Sequence, residues 1–470
     1  MRNAMTRTAG SRLLLALALL LLFAGCATVQ VSSSDGKPAA ASDNTAIQAA
    51  GALARNDATL SGQAKVDNAR QIDRLLSGLD DATLARETGA LVANDPLYNF
   101  AGRALLRRGL PLPRSFDRGT QWGFDTSRRP PADRDGYRPP TKLAVLLPLS
   151  GSLATAAAPV RDGLLAGYYG ERRQRPDIQF YDTAGTPGGA VAAYAKAAAE
   201  GNDFVVGPLG RDEVSALFNQ GNLGVPMLAL NRGNVAPPAG NASFSLTPED
   251  EAISAAEYLI SSNVRHVLVL SSGDAGMRRA AEAFRERFGE RGGIVTETLT
   301  VGESAEGFTP ALQAAAAKQG GVDAIFLAIK GSQARALAPQ LSAAGLGGKP
   351  RVATSQLITG TGKPEQDRAL DGIIFPSDAW SVHGAPGLPA AGTTGQALPT
   401  ARGGAARLFA FGFDAWLITA YLERLATSAE GDVKGATGDL RIDGFGNIIR
   451  TPAWSTFSGG IVVPLSRGGG

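Results

Sequence analysis

Residues 142–173 read KLAVLLPLSGSLATAAAPVRDGLLAGYYGERR, residues 177–185 DIQFYDTAG and residues 202–214 NDFVVGPLGRDEV. Three short apolar runs stand out in them: Leu143–Leu147, Ile178–Tyr181 and Phe204–Val206. Each ends in a small or polar turn and leads into a helix-like stretch. Apolar runs this short suit strands covered on both faces, and strands that alternate with helices build a parallel sheet. Such sheets place ligands beyond the carboxyl ends of their strands. Ser150, Gly151 and Ser152, then Asp182 and Thr183, then Pro208 and Leu209 are therefore expected to line one cleft. Asn231 joins them after a fourth strand at 225–230.

Each of these residues carries two readings. The Ser150 and Ser152 hydroxyls, with the amides of the following helix, can hold a carboxylate or another anion; Thr155 can equally serve as a plain helix cap. Asp182 suits an ammonium group or simply closes an Asx turn. Pro208 and Leu209 bend the chain after the third strand, and Asn231 and Arg232 follow the fourth.

The alternation continues beyond this stretch. Strands are predicted at 242–246, 266–270, 294–299, 324–329, 351–353 and 372–375, with helices between them. Thr247-Pro248-Glu249-Asp250 opens one of those helices: a hydroxyl cap, a proline in the first turn and acids at the positive end of the dipole. Two sets of five or six strands, separating near residue 246, exceed one compact sheet and predict two lobes of similar fold with a cleft between them. Residues 376–404 are rich in Gly, Pro, Ala and Thr. A loop of that length is usually functional or disordered. Residues 405–427 form a helix with Leu408, Phe411, Ala415, Ile418 and Leu422 on one face. The tail from Thr437 to Gly460 has glycine-punctuated alternation, like a closing hairpin with an aromatic-bearing strand.

Upstream, the pattern is different. Residues 45–110 show helical periodicity (Ile72, Leu75, Leu76, Leu79, then Leu84, Leu91, Val92) and predict three or four helices. Asp80 or Asp81 and Asp95 are candidate caps. Helical-hairpin repeats are compatible with this, without a clean 34-residue period. Residues 111–140 hold six prolines, six arginines and four aspartates, the composition of a linker or a strap across a surface.

At the amino terminus, Arg2, Arg7 and Arg12 precede twelve apolar residues, Leu13–Ala24. A bilayer-spanning helix takes about 20 residues, so this is a signal-peptide core rather than a membrane span. It ends Phe23-Ala24-Gly25-Cys26, with the only cysteine of the chain. Small residues before a lone cysteine resemble a bacterial lipoprotein cleavage site, with Phe23 where Leu is usual. Lipidation of Cys26 is expected, and Ala27, which is not Asp, points to the outer membrane. Residues 27–44 read as a flexible tether. The formal charge of +3 equals the contribution of the three leader arginines, so the rest of the chain is neutral and lacks a nucleic-acid footprint.

Catalytic and cofactor signatures are missing. Only His266 and His383 are present, and there is no H-E-x-x-H, no Cys/His ligand set and no G-x-S-x-G elbow. Gly360-Thr361-Gly362-Lys363 lacks the first glycine of a phosphate loop and has Pro364 where Ser or Thr belongs. No catalytic residue, metal or cofactor is expected.

Taken in order, these residues resemble the type I periplasmic-binding-protein fold and, more closely, the LpoA/LppC-type family of penicillin-binding-protein activators. The resemblance is carried by LLPLSGSLATAAAPVRDG (146–163), FYDTAG (180–185), VVGPLGRDEV (205–214), PMLALN (226–231) and FDAWLITAYL (413–422). ATGDL (436–440) and IIRTPAWSTFSGG (448–460) look like the family's closing segment. Asp378-Ala379-Trp380 is similar to its Pro-Trp stretch, with Ala379 in the proline position. The resemblance spans about 141–463. It implies an α/β, two-lobed type I periplasmic-binding-protein-like domain at 141–466, with parallel sheets flanked by helices. Before it would come a signal peptide at 1–26, a tether at 27–44, a small helical, TPR-like domain at 45–110 and a linker at 111–140. It implies a non-enzymatic outer-membrane lipoprotein facing the periplasm. Such a protein activates a bifunctional (class A) penicillin-binding protein in peptidoglycan synthesis, with peptidoglycan itself as a further candidate contact. In the family the helical part is larger than 45–110 allows. The residues leave a second reading open: a solute-binding lipoprotein receptor for an amino acid or small peptide, feeding a transporter.

Overall fold

The computed structural model describes residues 42–117 and 129–465. Cys26, the leader and most of the tether lie outside the described residues, as do residues 118–128 of the linker and the last five residues.

Among the described residues four α-helices come first: α1 (Thr45–Asn56), α2 (Gly62–Ser77), α3 (Asp81–Ala90) and α4 (Tyr98–Arg107). Their caps follow from the sequence. Asn44 accepts from Ala46 and Ile47 amides at the start of α1, and Asp80 accepts from the Thr83 amide at 2.8 Å at the start of α3. Asp95 accepts from the Leu97 amide at 2.8 Å just ahead of α4. Ile47, Ile72, Leu76, Leu84, Phe100 and Leu105 make their common core.

Lobe 1 starts at β1 (Lys142–Leu147) and continues through α5 (Ala154–Gly170), β2 (Asp177–Asp182), α6 (Pro187–Ala199), β3 (Phe204–Val206), α7 (Arg211–Phe218), β4 (Met227–Ala229) and β5 (Ala242–Ser243). The strands pair in parallel in the order β2-β1-β3-β4-β5. Leu143, Val145 and Leu147 face one layer of helices, while Ala144 and Leu146 face the other. The apolar run of β1 is thus explained by burial on both faces.

Lobe 2 repeats the plan. It holds α8 (Pro248–Ser261), β6 (His266–Ser272), α9 (Ala275–Glu290), β7 (Ile294–Val301), α10 (Thr309–Ala316), β8 (Ala324–Ala328), α11 (Gly331–Ala343), β9 (Arg351–Ala353) and β10 (Ile373–Ser377). Thr247 caps α8, as its sequence predicts. The chain then returns to lobe 1 as α12 (Ala405–Thr427) and passes through a small antiparallel sheet of β11 (Val433–Lys434), β12 (Asp439–Ile442) and β13 (Ile448–Thr451). It ends in lobe 2 as β14 (Ala453–Ser458) and β15 (Ile461–Pro464), antiparallel additions to the sheet β15-β14-β10-β9-β8-β6-β7. The closing segment is therefore a three-stranded sheet and a separate hairpin, where one hairpin was expected.

Two expectations are corrected here. Residues 376–404 do not form a structureless loop. Short helices at Ala379–His383 and Ala391–Ala397 order them, because Trp380 and Ala401 bury against Phe409 and Phe413. Thr155 does not cap α5: it lies one residue inside the helix, and the capping position is Leu153.

The helix α12 is long and apolar enough to cross a membrane, but 67% of its apolar window is buried in this protein. It packs along α5, and the two backbones meet at glycines. A Cβ on Gly163 would stand 1.9 Å from the Phe409 carbonyl oxygen, and one on Gly412 would stand 1.9 Å from that of Val160. The end of the linker is strapped to the outside of α12. The Arg138 amide donates to the Ala420 carbonyl at 2.8 Å, its guanidinium pairs with Glu423 at 2.9 Å, and Tyr137 packs edge-on against Tyr421.

Inside the junction of α12 with the small sheet lies Asp414, fully buried. It accepts from the Ala436 and Thr437 amides and from the Thr437 hydroxyl. Burial outweighs these bonds and pushes its pKa up to about 7. A carboxyl raised in this way binds its proton more tightly in the folded than in the unfolded chain. Its contribution to stability is thus fully present at low pH and is lost as pH rises from about 4 to about 7. Wild type is expected to show a Tm that falls across that window relative to Asp414→Asn, with the difference constant above it. Parallel Tm profiles for the two proteins would refute the assignment.

Candidate functional site

The carboxyl ends of β1 to β4 bring the candidate residues of lobe 1 to one edge of the sheet. After β1, the turn at Gly151 has φ +80°, and a Cβ there would come within 2.7 Å of the Ala184 carbonyl oxygen. Only glycine fits this left-handed, close-packed position. After β2, Asp182 reaches back over β1. One carboxylate oxygen accepts from the Leu149, Ser150 and Ala184 amides at 2.9, 3.2 and 2.8 Å, and the other accepts from the Ser150 hydroxyl at 2.6 Å. The Ser150 hydroxyl and these amides hold its pKa below the usual carboxylate range. The Asx-turn reading of Asp182 is therefore the observed one, and Ser150 is its partner.

Thr183 is buried, and its amide continues the ladder to Leu147. After β3 the chain makes a cis Gly207–Pro208 bond, and the Pro208 carbonyl accepts from the Leu230 amide. Leu209 packs on the lobe core, while its carbonyl accepts from the Asn231 side chain at 3.0 Å. Ser152 is exposed at the rim. The candidates are thus neighbours, but Ser150 bonds Asp182 and Asn231 bonds Leu209. The strand ends of lobe 2 behave alike. The Ser272 hydroxyl donates to Asp274, which caps α9, and Lys330 lies 3.7 Å from Glu303.

Removing Asp182 should therefore loosen the 149–151 turn more than it alters any recognition chemistry. Asp182→Ala is expected to cost about 1 kcal/mol, the worth of the bonds it makes at an exposed site. A urea unfolding curve superimposable on wild type would contradict this.

Sequence reasoning missed two groups of residues. Glu213 is a buried carboxyl behind the cleft floor, accepting from the Gly210 amide at 2.6 Å; burial raises its pKa. The second group is a charge cluster between the lobes. Glu251 of α8, 2% exposed, accepts from the Ser355 amide at 2.9 Å after β9 and from Arg407 at the start of α12. Arg450 of β13 lies 3.5 Å from Glu251 and 3.9 Å from Asp378, at the end of β10. Burial pushes the Asp378 carboxyl up, whereas Glu251 is held down by Arg407 and Arg450 against its own desolvation. The acidic start of α8 and the Asp378-Ala379-Trp380 stretch were the only traces of this cluster in the sequence.

His266 stands at the opening end of β6, away from the cleft, with Nδ1 3.4 Å from Asp323; His383 is exposed on a short helix. Among the described residues no group of three His, Cys, Asp or Glu is placed to hold a metal ion.

Two doubly wound lobes, crossed three times by the chain, define a type I periplasmic-binding-protein-like fold. The profile of the family described as "LppC putative lipoprotein" matches residues 136–460, and the chain belongs to that family. A curated relative, "Penicillin-binding protein activator LpoA" of Photobacterium profundum, is 26% identical over 356 residues, 69% of this chain and 57% of the relative. The chain thus spans little more than half the length of that relative. Among solved structures, the LpoA C-domain of Haemophilus influenzae, described as a regulator of PBP1A, superposes with a TM-score of 0.59 at 22% identity, covering 69% of this chain and 99% of that one. A putative branched-chain amino acid ABC transporter protein from Chromobacterium violaceum gives a TM-score of 0.54 at 29% identity, covering 67% of this chain and all of the other.

Proposed function

We propose that this protein is a non-enzymatic activator of a bifunctional (class A) penicillin-binding protein. It would be anchored by a lipidated Cys26 on the periplasmic face of the outer membrane and would raise transpeptidation during peptidoglycan synthesis. The observation that carries this reading is the family match over 136–460, together with a relative named as an activator. The strand-end chemistry agrees with it, because the polar groups that a solute would need are bonded to one another. The division into leader (1–26), tether (27–44), helical domain (45–110), linker (111–140) and two-lobed domain (141–466) belongs to the same proposal. So does contact with peptidoglycan. A lipid anchor confines the protein to the compartment of its partner and raises their effective concentration, so a weak contact suffices. The test is a pull-down with the cognate penicillin-binding protein and a peptidoglycan crosslinking assay with and without this protein. Stimulated crosslinking is expected; absence of both binding and stimulation would end the proposal.

The likeness to the putative amino acid transporter protein favours a second reading, a solute receptor with Ser150, Gly151, Ser152, Asp182, Thr183, Pro208, Leu209 and Asn231 around its ligand. It requires a solute that raises Tm by mass action. A flat thermal-shift screen over amino acids and small peptides would reject it.

A further inference from the structure

Helix α5 runs out at Gly170, and residues 168–176 read YYGERRQRP. They bring two tyrosines and three arginines to the amino-terminal edge of the lobe 1 sheet, opposite the edge that holds the eight cleft candidates. The Tyr168 hydroxyl donates to the Pro176 carbonyl at 2.8 Å and ties this turn to the start of β2. Tyr169 stands edge-on to Tyr168, with ring centroids 5.1 Å apart. Among the described residues it is the most exposed large apolar side chain, at 68%. Arg175 lies 5.0 and 5.7 Å from the centroids of the two rings and donates to the Tyr168 carbonyl at 3.3 Å.

The carboxylates of this surface gather on one arginine. Glu171, Asp133 and Asp135 all pair with Arg173, at 2.8, 3.3 and 2.9 Å, and Arg173 itself lies 3.8 Å from the centroid of the Tyr137 ring. Arg134, between two of those acids, is exposed, and so are Arg172 and Arg175. None of these three has an acid within ion-pair distance among the described residues. Arg175 is already held by its stacking on tyrosine, so it loses little freedom when a further acceptor arrives.

A free guanidinium binds a carboxylate through paired N–H groups. An exposed aromatic ring takes the C–H face of a sugar by dispersion contact. Together they fit a saccharide that carries carboxylates. Asp133 and Asp135, with side chains 52% and 48% exposed, narrow the choice. They repel a uniformly anionic surface such as an acidic membrane, but suit a polymer that carries amines as well as carboxylates.

We propose that this patch binds the glycan strands and peptide stems of peptidoglycan, with a sugar on Tyr169 and stem carboxylates on Arg172 and Arg175. The proposal rests on the peptidoglycan contact of the reading above and assigns that contact to named residues.

The test uses the chain from residue 26 onward with Cys26→Ser, so that no lipid contributes. It is sedimented with purified insoluble peptidoglycan sacculi and, separately, with vesicles of phosphatidylethanolamine and phosphatidylglycerol. Binding to sacculi is expected. Tyr169→Ala and the double variant Arg172→Gln/Arg175→Gln should each weaken it by roughly tenfold, the loss of one good contact. Tyr169→Phe keeps the ring and should bind like wild type. Arg278→Gln, at an exposed position of α9 in lobe 2, is the control for non-specific charge and should change nothing. Stimulation of the penicillin-binding protein is measured in parallel without sacculi, and Tyr169→Ala should retain it, so that this proposal and the activator reading can fail separately. No sedimentation with sacculi, sedimentation unchanged in both Tyr169→Ala and the double variant, an equal loss in Arg278→Gln, or patch-dependent binding to the vesicles alone would each overturn the proposal. So would loss of stimulation in Tyr169→Ala with sacculus binding intact, which would make the patch a protein-docking face.

Discussion

Gly412→Ala is expected to destabilise the protein by about 3 kcal/mol, the upper part of the usual range for overpacking a close interface. In an ordinary exposed helix the same change stabilises by about 1 kcal/mol, because alanine is the better helix former. The sign is opposite here because α5 and α12 cross backbone to backbone. The new methyl group would stand 1.9 Å from the Val160 carbonyl oxygen. Gly163 has the reciprocal problem with Phe409, and a Cβ on Gly167 would press on Trp416 at 2.5 Å. Relief requires the helices to separate, which opens the core beneath Phe411, Trp416 and Val160. Gly289, in α9 with nothing within 4 Å of a Cβ, is the control, and Gly289→Ala should be neutral or stabilising. Urea midpoints measure both. Equal stability of Gly412→Ala and wild type would mean that the crossing is looser than described.

Glu251→Ala should cost about 3–5 kcal/mol, because it leaves buried guanidinium groups without their counter-charge. Among the described residues Glu251 is the one carboxylate in ion-pair distance of both Arg407 and Arg450, and it also accepts the Ser355 amide. Those partners come from α12, from β13 and from the turn after β9, so the loss falls on both lobes and the small sheet at once. Glu251→Gln can still accept from Ser355 but carries no charge, and it should recover only part of the stability. Replacing Glu251, Arg407 and Arg450 together with apolar residues should be far milder than Glu251→Ala, since the one acid left in the cluster, Asp378, can take up a proton under the burial that already raises its pKa. A triple variant as unstable as the single one would show that packing, rather than charge, is at stake.

The sequence revealed the lobes but not what joins them. The run Leu143–Leu147 was legible because burial on both faces leaves no polar alternation. The break near residue 246 was legible because it falls between two runs of strand–helix alternation, and the observed sheets divide there. Ala405–Thr427 was legible as a helix, but its burial was not. The pattern pointed to one apolar face, whereas Phe409, Phe411, Phe413, Ala415 and Trp416 are all buried, on every side. Gly163 and Gly412 passed as ordinary small residues, since a close crossing shows only when the second helix is in place. The cleft residues were correctly placed at strand ends, but their hydrogen bonds could not be read. Whether Asp182 faces a solute or Ser150 depends on a bond between positions 32 residues apart. The charge cluster was beyond reach for the same reason on a larger scale, since Glu251 and Arg450 are 199 residues apart and no periodicity couples them.

The return of the chain to each lobe bears on how the protein is made. Lobe 1 takes its central helix from 405–427, and lobe 2 takes two strands from 453–464. Most of each sheet is synthesised long before those pieces exist. Lobe 1 therefore cannot close its core until translation has passed α12, and lobe 2 not until the last dozen described residues are available. Contacts between such distant parts of the chain form slowly, because long loops must close first. A chain whose lobes wait for segments this distant stays open until those segments have been made. Truncation just after residue 430 should leave lobe 2 with Phe375 uncovered by Phe457, and deletion of α12 should unfold lobe 1.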